Sequence, residues 1–167
     1  MKKALLGLVL AITVSTVSAQ ALWGGAPIGA SPAEVSRLLP EVKDTSAEQR
    51  AQEQGLLLEI PRHELAGQDF LVSFFFEDNQ LQRVVLLANP GSTERARAVT
   101  QELGASLRAR YGLDVGTRSR RSEVREGSVD RMWLFRRMSI RLQLLNDMSV
   151  RLTYSAESPT PTPSRGL

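Results

Sequence analysis

Ser139-Ile140-Arg141-Leu142-Gln143-Leu144-Leu145-Asn146-Asp147-Met148-Ser149-Val150-Arg151-Leu152-Thr153-Tyr154 carries the pattern from which the fold can be read. Ile140, Leu142 and Leu144 alternate with Arg141 and Gln143, and Val150, Leu152 and Tyr154 alternate with Arg151 and Thr153. Period-two alternation marks strands with one face in a core and the other in water. An Asn146-Asp147 two-residue turn sets Leu142 against Arg151, mixing core with solvent. An odd loop, either residues 146–148 or residues 145–149, sets Leu144 against Val150 and Leu142 against Leu152. A one-residue slip turns every side chain over, so the apolar pattern predicts the odd loop. Arg141, Gln143, Arg151 and Thr153 then face outward.

Working outward, strand-like runs cover residues 131–135 before this hairpin and 56–60, 70–76 and 81–87 in the first half. Ser31-Pro32-Ala33-Glu34 is a helix start, with a capping serine, a proline suited to the first turn and a glutamate that can complete a capping box. Thr45-Ser46-Ala47-Glu48 offers a second such start, although residues 41–55 lack an apolar stripe and read as a short solvated helix or a loop. Ser92 caps the longest helix, Val99, Leu103, Leu107 and Tyr111 recur every four residues, and Gly112 stops it. Helix followed by three strands occurs twice, over about 31–88 and about 92–155. The expectation is an α+β domain, residues 22–155: an antiparallel sheet of about six strands from two αβββ units, with both helices on one face.

The first hairpin reads differently from the last. Asp78-Asn79 suits a two-residue turn, which pairs Phe76 with Leu81 and Val72 with Val85. Phe70, Val72, Phe74 and Phe76 make one apolar face. Leu71, Phe75, Val84 and Leu86 then make the other face apolar as well. Such a surface needs a cover, either residues 41–55 or 113–128 of the same chain, or a partner.

The N-terminus reads as an address. Lys2 and Lys3 precede an uncharged apolar stretch from Ala4 to Val17, and both Val17-Ser18-Ala19 and Ala19-Gln20-Ala21 fit a small-x-small cleavage site. Residues 1–21 are expected to be a signal peptide cut after Ala19 or Ala21, leaving a periplasmic chain with no membrane span. The sequence has no cysteine, which excludes disulfides, a thiolate nucleophile, Cys-ligated metals and a lipoprotein anchor. Residues 156–167 hold three of the eight prolines and read as a flexible tail.

The 167 residues carry 21 Lys+Arg against 18 Asp+Glu, a net charge of +3, and loss of Lys2 and Lys3 brings it to +1. Residues 22–105 hold 7 basic and 12 acidic groups, net −5, and residues 106–167 hold 12 basic and 6 acidic, net +6. The mature chain is thus dipolar rather than basic, and nucleic acid is not an expected partner. Arg118, Arg120, Arg121 and Arg125 crowd one loop, and Arg131, Arg136, Arg137, Arg141 and Arg151 lie on or beside strands, with Trp133 and Phe135 among them. Guanidinium groups pair with carboxylates and phosphates, so the outward arginines, with Gln143, Thr153 and Trp133, are candidate partner contacts.

No catalytic or metal-binding set assembles. Gly24-Gly25 and Gly29 precede a helix but follow no strand and lack a P-loop lysine. His63, the one histidine, falls in an apparent inter-strand loop after Pro61, and Asp69, Glu77 and Asp78 read as charged turn residues. The expectation is a non-enzymatic chain without cofactors.

Residues Ile28-Gly29-Ala30-Ser31-Pro32-Ala33-Glu34-Val35-Ser36-Arg37-Leu38-Leu39-Pro40 resemble the opening helix of small periplasmic domains of the SmpA/OmlA (BamE-like) type. The doubled helix-plus-three-strand layout is similar to β-lactamase-inhibitor-protein-like folds. The lipid-attachment cysteine of the SmpA/OmlA lipoproteins is absent. The resemblance implies a periplasmic protein-binding module. Its surface would be either the outward face of the last hairpin, meeting a protein or an anionic envelope component, or the Leu71, Phe75, Val84 and Leu86 face of an envelope-assembly accessory. An inhibitor or immunity-type role is the further alternative.

Overall fold

Capping chemistry sets where each helix of the computed structural model begins. The structure describes residues 20–115, 129–146 and 148–157. In α1 (Pro32–Leu38) the Ser31 hydroxyl accepts from the Glu34 amide while the Glu34 carboxylate accepts from the Ser31 amide. The box of α2 (Ala47–Gln52) is formed by Ser46 and Gln49, one residue later than the Thr45–Glu48 spacing suggests. Thr45 is instead buried, its hydroxyl donating to the carbonyls of Leu56 and Leu57. Ser92 caps α3 (Thr93–Tyr111), and Gly112 ends it at φ 85°.

The strands are β1 (Ala21–Trp23), β2 (Ala26–Pro27), β3 (Lys43–Asp44), β4 (Leu56–Leu65), β5 (Gln68–Glu77), β6 (Gln80–Ala88), β7 (Asp130–Phe135), β8 (Met138–Leu145) and β9 (Ser149–Ala156). β1 and β2 form a small hairpin whose turn is Gly24-Gly25, both at positive φ. The other seven strands form one antiparallel sheet in the order β3-β4-β5-β6-β9-β8-β7. The two meanders β4-β5-β6 and β7-β8-β9 therefore join through their last strands, with the β6/β9 pair at the seam. The short edge strand β3 is the addition to the six strands expected.

The core lies on one side of this sheet. Val35 of α1 and Ala96, Val99, Leu103 and Leu107 of α3 pack with Phe74, Val84, Leu86, Ile140, Leu142 and Leu152 in one cluster. α1 and α3 thus cover the same face, as the doubled helix-plus-three-strand layout implied. In the last hairpin Leu145 pairs with Ser149, Leu144 with Val150 and Leu142 with Leu152, the register of the odd loop. The apolar pattern overrode the two-residue Asn146-Asp147 turn.

The first hairpin departs from its expected register. Its turn is Asp78-Asn79 (φ 48° and 64°), and Phe76 pairs with Leu81. Beyond that, Phe75 pairs with Arg83 and Val72 with Leu86, because Gln82 is an extra residue on β6. A β-bulge of this kind moves one residue out of the ladder and turns over everything after it. Val84 and Leu86 accordingly lie in the core at 0% exposure. They do not share a face with Leu71 and Phe75; Val85 and Leu87 take those places.

A second correction concerns β4, which does not stop at Ile60. It continues to Leu65 through a register shift between Ile60 and His63. Pro61 sits in that irregularity, where a missing amide costs no ladder hydrogen bond. His63 is a strand residue, half-buried, with Trp23 meeting its ring edge-on at 5.1 Å. The expected signal peptide through Ala19, the arginines at 118, 120, 121 and 125, and residues 158–167 lie outside the described residues. No helix among the described residues is long and apolar enough to cross a membrane.

Candidate docking face on the open side of the sheet

The face opposite the helices is read directly from the ladder. One row across the strands runs Leu71, Leu87, Arg151, Gln143; the next runs Ser73, Val85, Thr153, Arg141, Met132; a third runs Phe75, Arg83, Ser155, Ser139. These side chains, with Glu53, line a shallow trough of about 510 Å³. The seam divides it by chemistry. β5 and β6 supply the apolar Leu71, Phe75, Val85 and Leu87 together with Ser73 and Arg83, whereas β8 and β9 supply mainly guanidinium, hydroxyl and amide groups.

Local packing sets how each group is presented. Leu71 and Leu87, opposite one another, are each 37% exposed. Phe75 is buried but stands outside the core cluster, because Arg83 lies over its ring at 4.2 Å. α2 walls the β4 end, where Gln49 Nε2 donates to Glu59 Oε2 at 3.0 Å. The segment 41–55 thus flanks this face at one end but leaves the leucines open.

The cations differ from one another. Arg141 is held in a two-point pair, its Nε 2.9 Å from Asp130 Oδ1 and its second nitrogen on Oδ2. The Asp130 hydrogen bonds raise its pKa above the ordinary arginine value, against partial burial. Arg83 and Arg151 form no ion pair with a carboxylate among the described residues. Arg151 Nε is shielded from solvent and lacks a hydrogen-bond partner among them. An arginine without a carboxylate partner can pair its accessible nitrogens with one that arrives.

Of the residues singled out from sequence, Arg141, Gln143, Arg151, Thr153, Leu71 and Phe75 come together on this face. Val84, Leu86 and Trp133 do not. Trp133 is 1% exposed on the core side, and its indole N–H donates to the Gly112 carbonyl at 3.0 Å, tying β7 to the end of α3. Its place follows from the register, in which Trp133 stands opposite the core residue Ile140. Arg83 and Leu87 were missed because the bulge was missed. Apolar residues occupy both parities of β6, Leu81, Val85 and Leu87 odd and Val84, Leu86 and Ala88 even, so alternation alone does not locate the bulge.

The remaining candidates have ordinary roles. Asp69 pairs with Arg62 at 2.8 Å, and Glu77 and Asp78 are exposed at the hairpin tip. Among the described residues there is no group of three or more His, Asp or Glu side chains placed to hold a metal ion. Comparison of the chain with family models, with curated proteins and with solved structures finds no match.

Proposed function

We propose that this chain is an exported, non-enzymatic binding module that docks an acidic, partly apolar protein surface on the open face of its sheet. The observation that carries this reading is the pairing of two accessible leucines, Leu71 and Leu87, with Arg83 and Arg151, which have no carboxylate partner among the described residues. A partner that brings apolar side chains to β5 and β6 and carboxylates to β9 gains area burial and charge pairing together. Export is supported by Lys2 and Lys3, the apolar stretch after them and the small residues at 17, 19 and 21. The likeness of residues 28–40 to the SmpA/OmlA opening helix points the same way.

Crosslinking in the periplasm of the source cell tests this reading, with wild type and a Arg83→Glu/Arg151→Glu double variant as baits. The expected result is a discrete crosslinked protein that is lost in the variant while circular dichroism shows the variant still folded. Capture by wild type should also weaken as salt rises, since exposed charges are screened over about 8–10 Å. Equal capture by both baits, or a cytoplasmic location, overturns the reading.

A further inference from the structure

Gln20 is part of the fold rather than of the leader. Its side-chain Nε2 donates to the Phe135 carbonyl at 3.1 Å, and its Oε1 accepts from the Arg137 amide at 3.3 Å. One amide group therefore clasps both sides of the β7–β8 turn, where Arg136 takes a left-handed φ of 55°. The Gln20 carbonyl also accepts from the Ile28 amide at 3.0 Å, and Ala21 pairs with Pro27. Through these contacts the start of the first unit is fastened to the hairpin of the second, 115 residues away.

We propose that the precursor is cleaved between Ala19 and Gln20, so that Gln20 is retained as the first residue of the mature protein and its amide locks the β7–β8 turn. Val17-Ser18-Ala19 presents the small residues such a cut requires. The competing cut after Ala21 removes the clasp and the Ala21–Pro27 pair together. It leaves the Phe135 carbonyl and the Arg137 amide without this partner. The inference rests on the export reading above.

Retention of Gln20 has a chemical consequence. A free N-terminal glutamine cyclises when its α-amine attacks Cδ, the Cδ–Nε2 bond breaks and Nε2 leaves as ammonia. In the folded protein both amide atoms are engaged with the turn, so cyclisation is slow until the chain unfolds.

The test uses the full chain, expressed with its own leader in a bacterial host and purified from the periplasm, with intact mass and N-terminal sequencing as readouts. The expected product begins at unmodified Gln20. A product beginning at Leu22 overturns this proposal alone, and one that begins at Gln20 but is fully cyclised while folded overturns the lock on the β7–β8 turn. An uncleaved chain in the cytoplasm overturns the export reading and this proposal with it. A Gln20→Ala variant supplies the second readout. Hydrogen exchange at the Arg137 amide should quicken about fivefold, the factor carried by one net hydrogen bond. Unchanged protection there overturns the clasp.

Discussion

Arg83 stands opposite Phe75 across the β5–β6 ladder, with its guanidinium carbon 4.2 Å from the centre of the ring. That relationship exists only because Gln82 is extruded from the ladder. It covers the one phenylalanine of β5 that does not face the core, and it puts a cation beside the open leucines. An exposed cation–π contact is worth roughly 0.5–1 kcal/mol, so its larger effect is on the chemistry of the face.

The bulge makes neighbouring leucines opposite in consequence. Leu86→Asp buries a carboxylate at a site with 0% exposure and should cost more than about 3 kcal/mol, enough to unfold the domain. Leu87→Asp changes a 37% exposed side chain on the open face and should stay within about 1 kcal/mol of wild type. Urea unfolding followed by circular dichroism distinguishes them. The reverse order of stabilities contradicts the register.

Two glycines should respond with opposite signs. Gly55 has a φ of 82°, and a Cβ there would meet the Phe76 carbonyl oxygen at 2.6 Å, a backbone atom that cannot yield. Gly55→Ala should destabilise by more than about 1 kcal/mol. Gly104 lies inside α3, and its Cβ would meet the flexible tip of Arg131 at 3.1 Å. Gly104→Ala should stabilise by up to about 1 kcal/mol through helix propensity. Thermal melts of the two variants settle the signs.

The two capping boxes should separate with pH. Hydrogen bonds from the Ser31 amide and hydroxyl hold the Glu34 carboxyl below the usual glutamate range. A lowered folded-state pKa contributes stability that is complete above the unfolded value and is lost as pH falls through the folded one. The α1 cap should therefore weaken in acid more than the Ser46–Gln49 cap of α2, whose own acceptor is an amide and which meets a carboxylate only through the Gln49–Glu59 contact. The amide shift of Ser31 should move further in acid than that of Ser46. Glu34→Gln should abolish the Ser31 titration.

Trp133 should behave as a core residue and not as a contact. Trp133→Phe removes the donor to the Gly112 carbonyl and part of a buried ring, at a cost of about 1–3 kcal/mol. The same variant should leave crosslinking unchanged under conditions where it stays folded. Lost crosslinking with unaltered stability contradicts this placement.

The alternation in residues 139–154 was sufficient to set the parity and loop length of the last hairpin, because side-chain direction in a strand is a local property. The capping serines Ser31 and Ser92 were legible for the same reason. The register of the first hairpin is not legible in the same way, because its apolar residues are so dense that either register buries something. The choice fell to Gln82, whose extrusion lets Leu81, Val84 and Leu86 all reach one core.

By itself, then, the sequence determined an α+β chain of two helix-plus-three-strand units, with Arg141, Gln143, Arg151 and Thr153 sharing one side of a hairpin. Only the tertiary structure decided that β6 meets β9, which sets the leucines of the first unit beside the arginines of the second. It also decided that Gln20 belongs to the hairpin of the distant unit. Periodicity specifies which way a side chain points along its own strand. Which surfaces become neighbours depends on how two units bury one shared core.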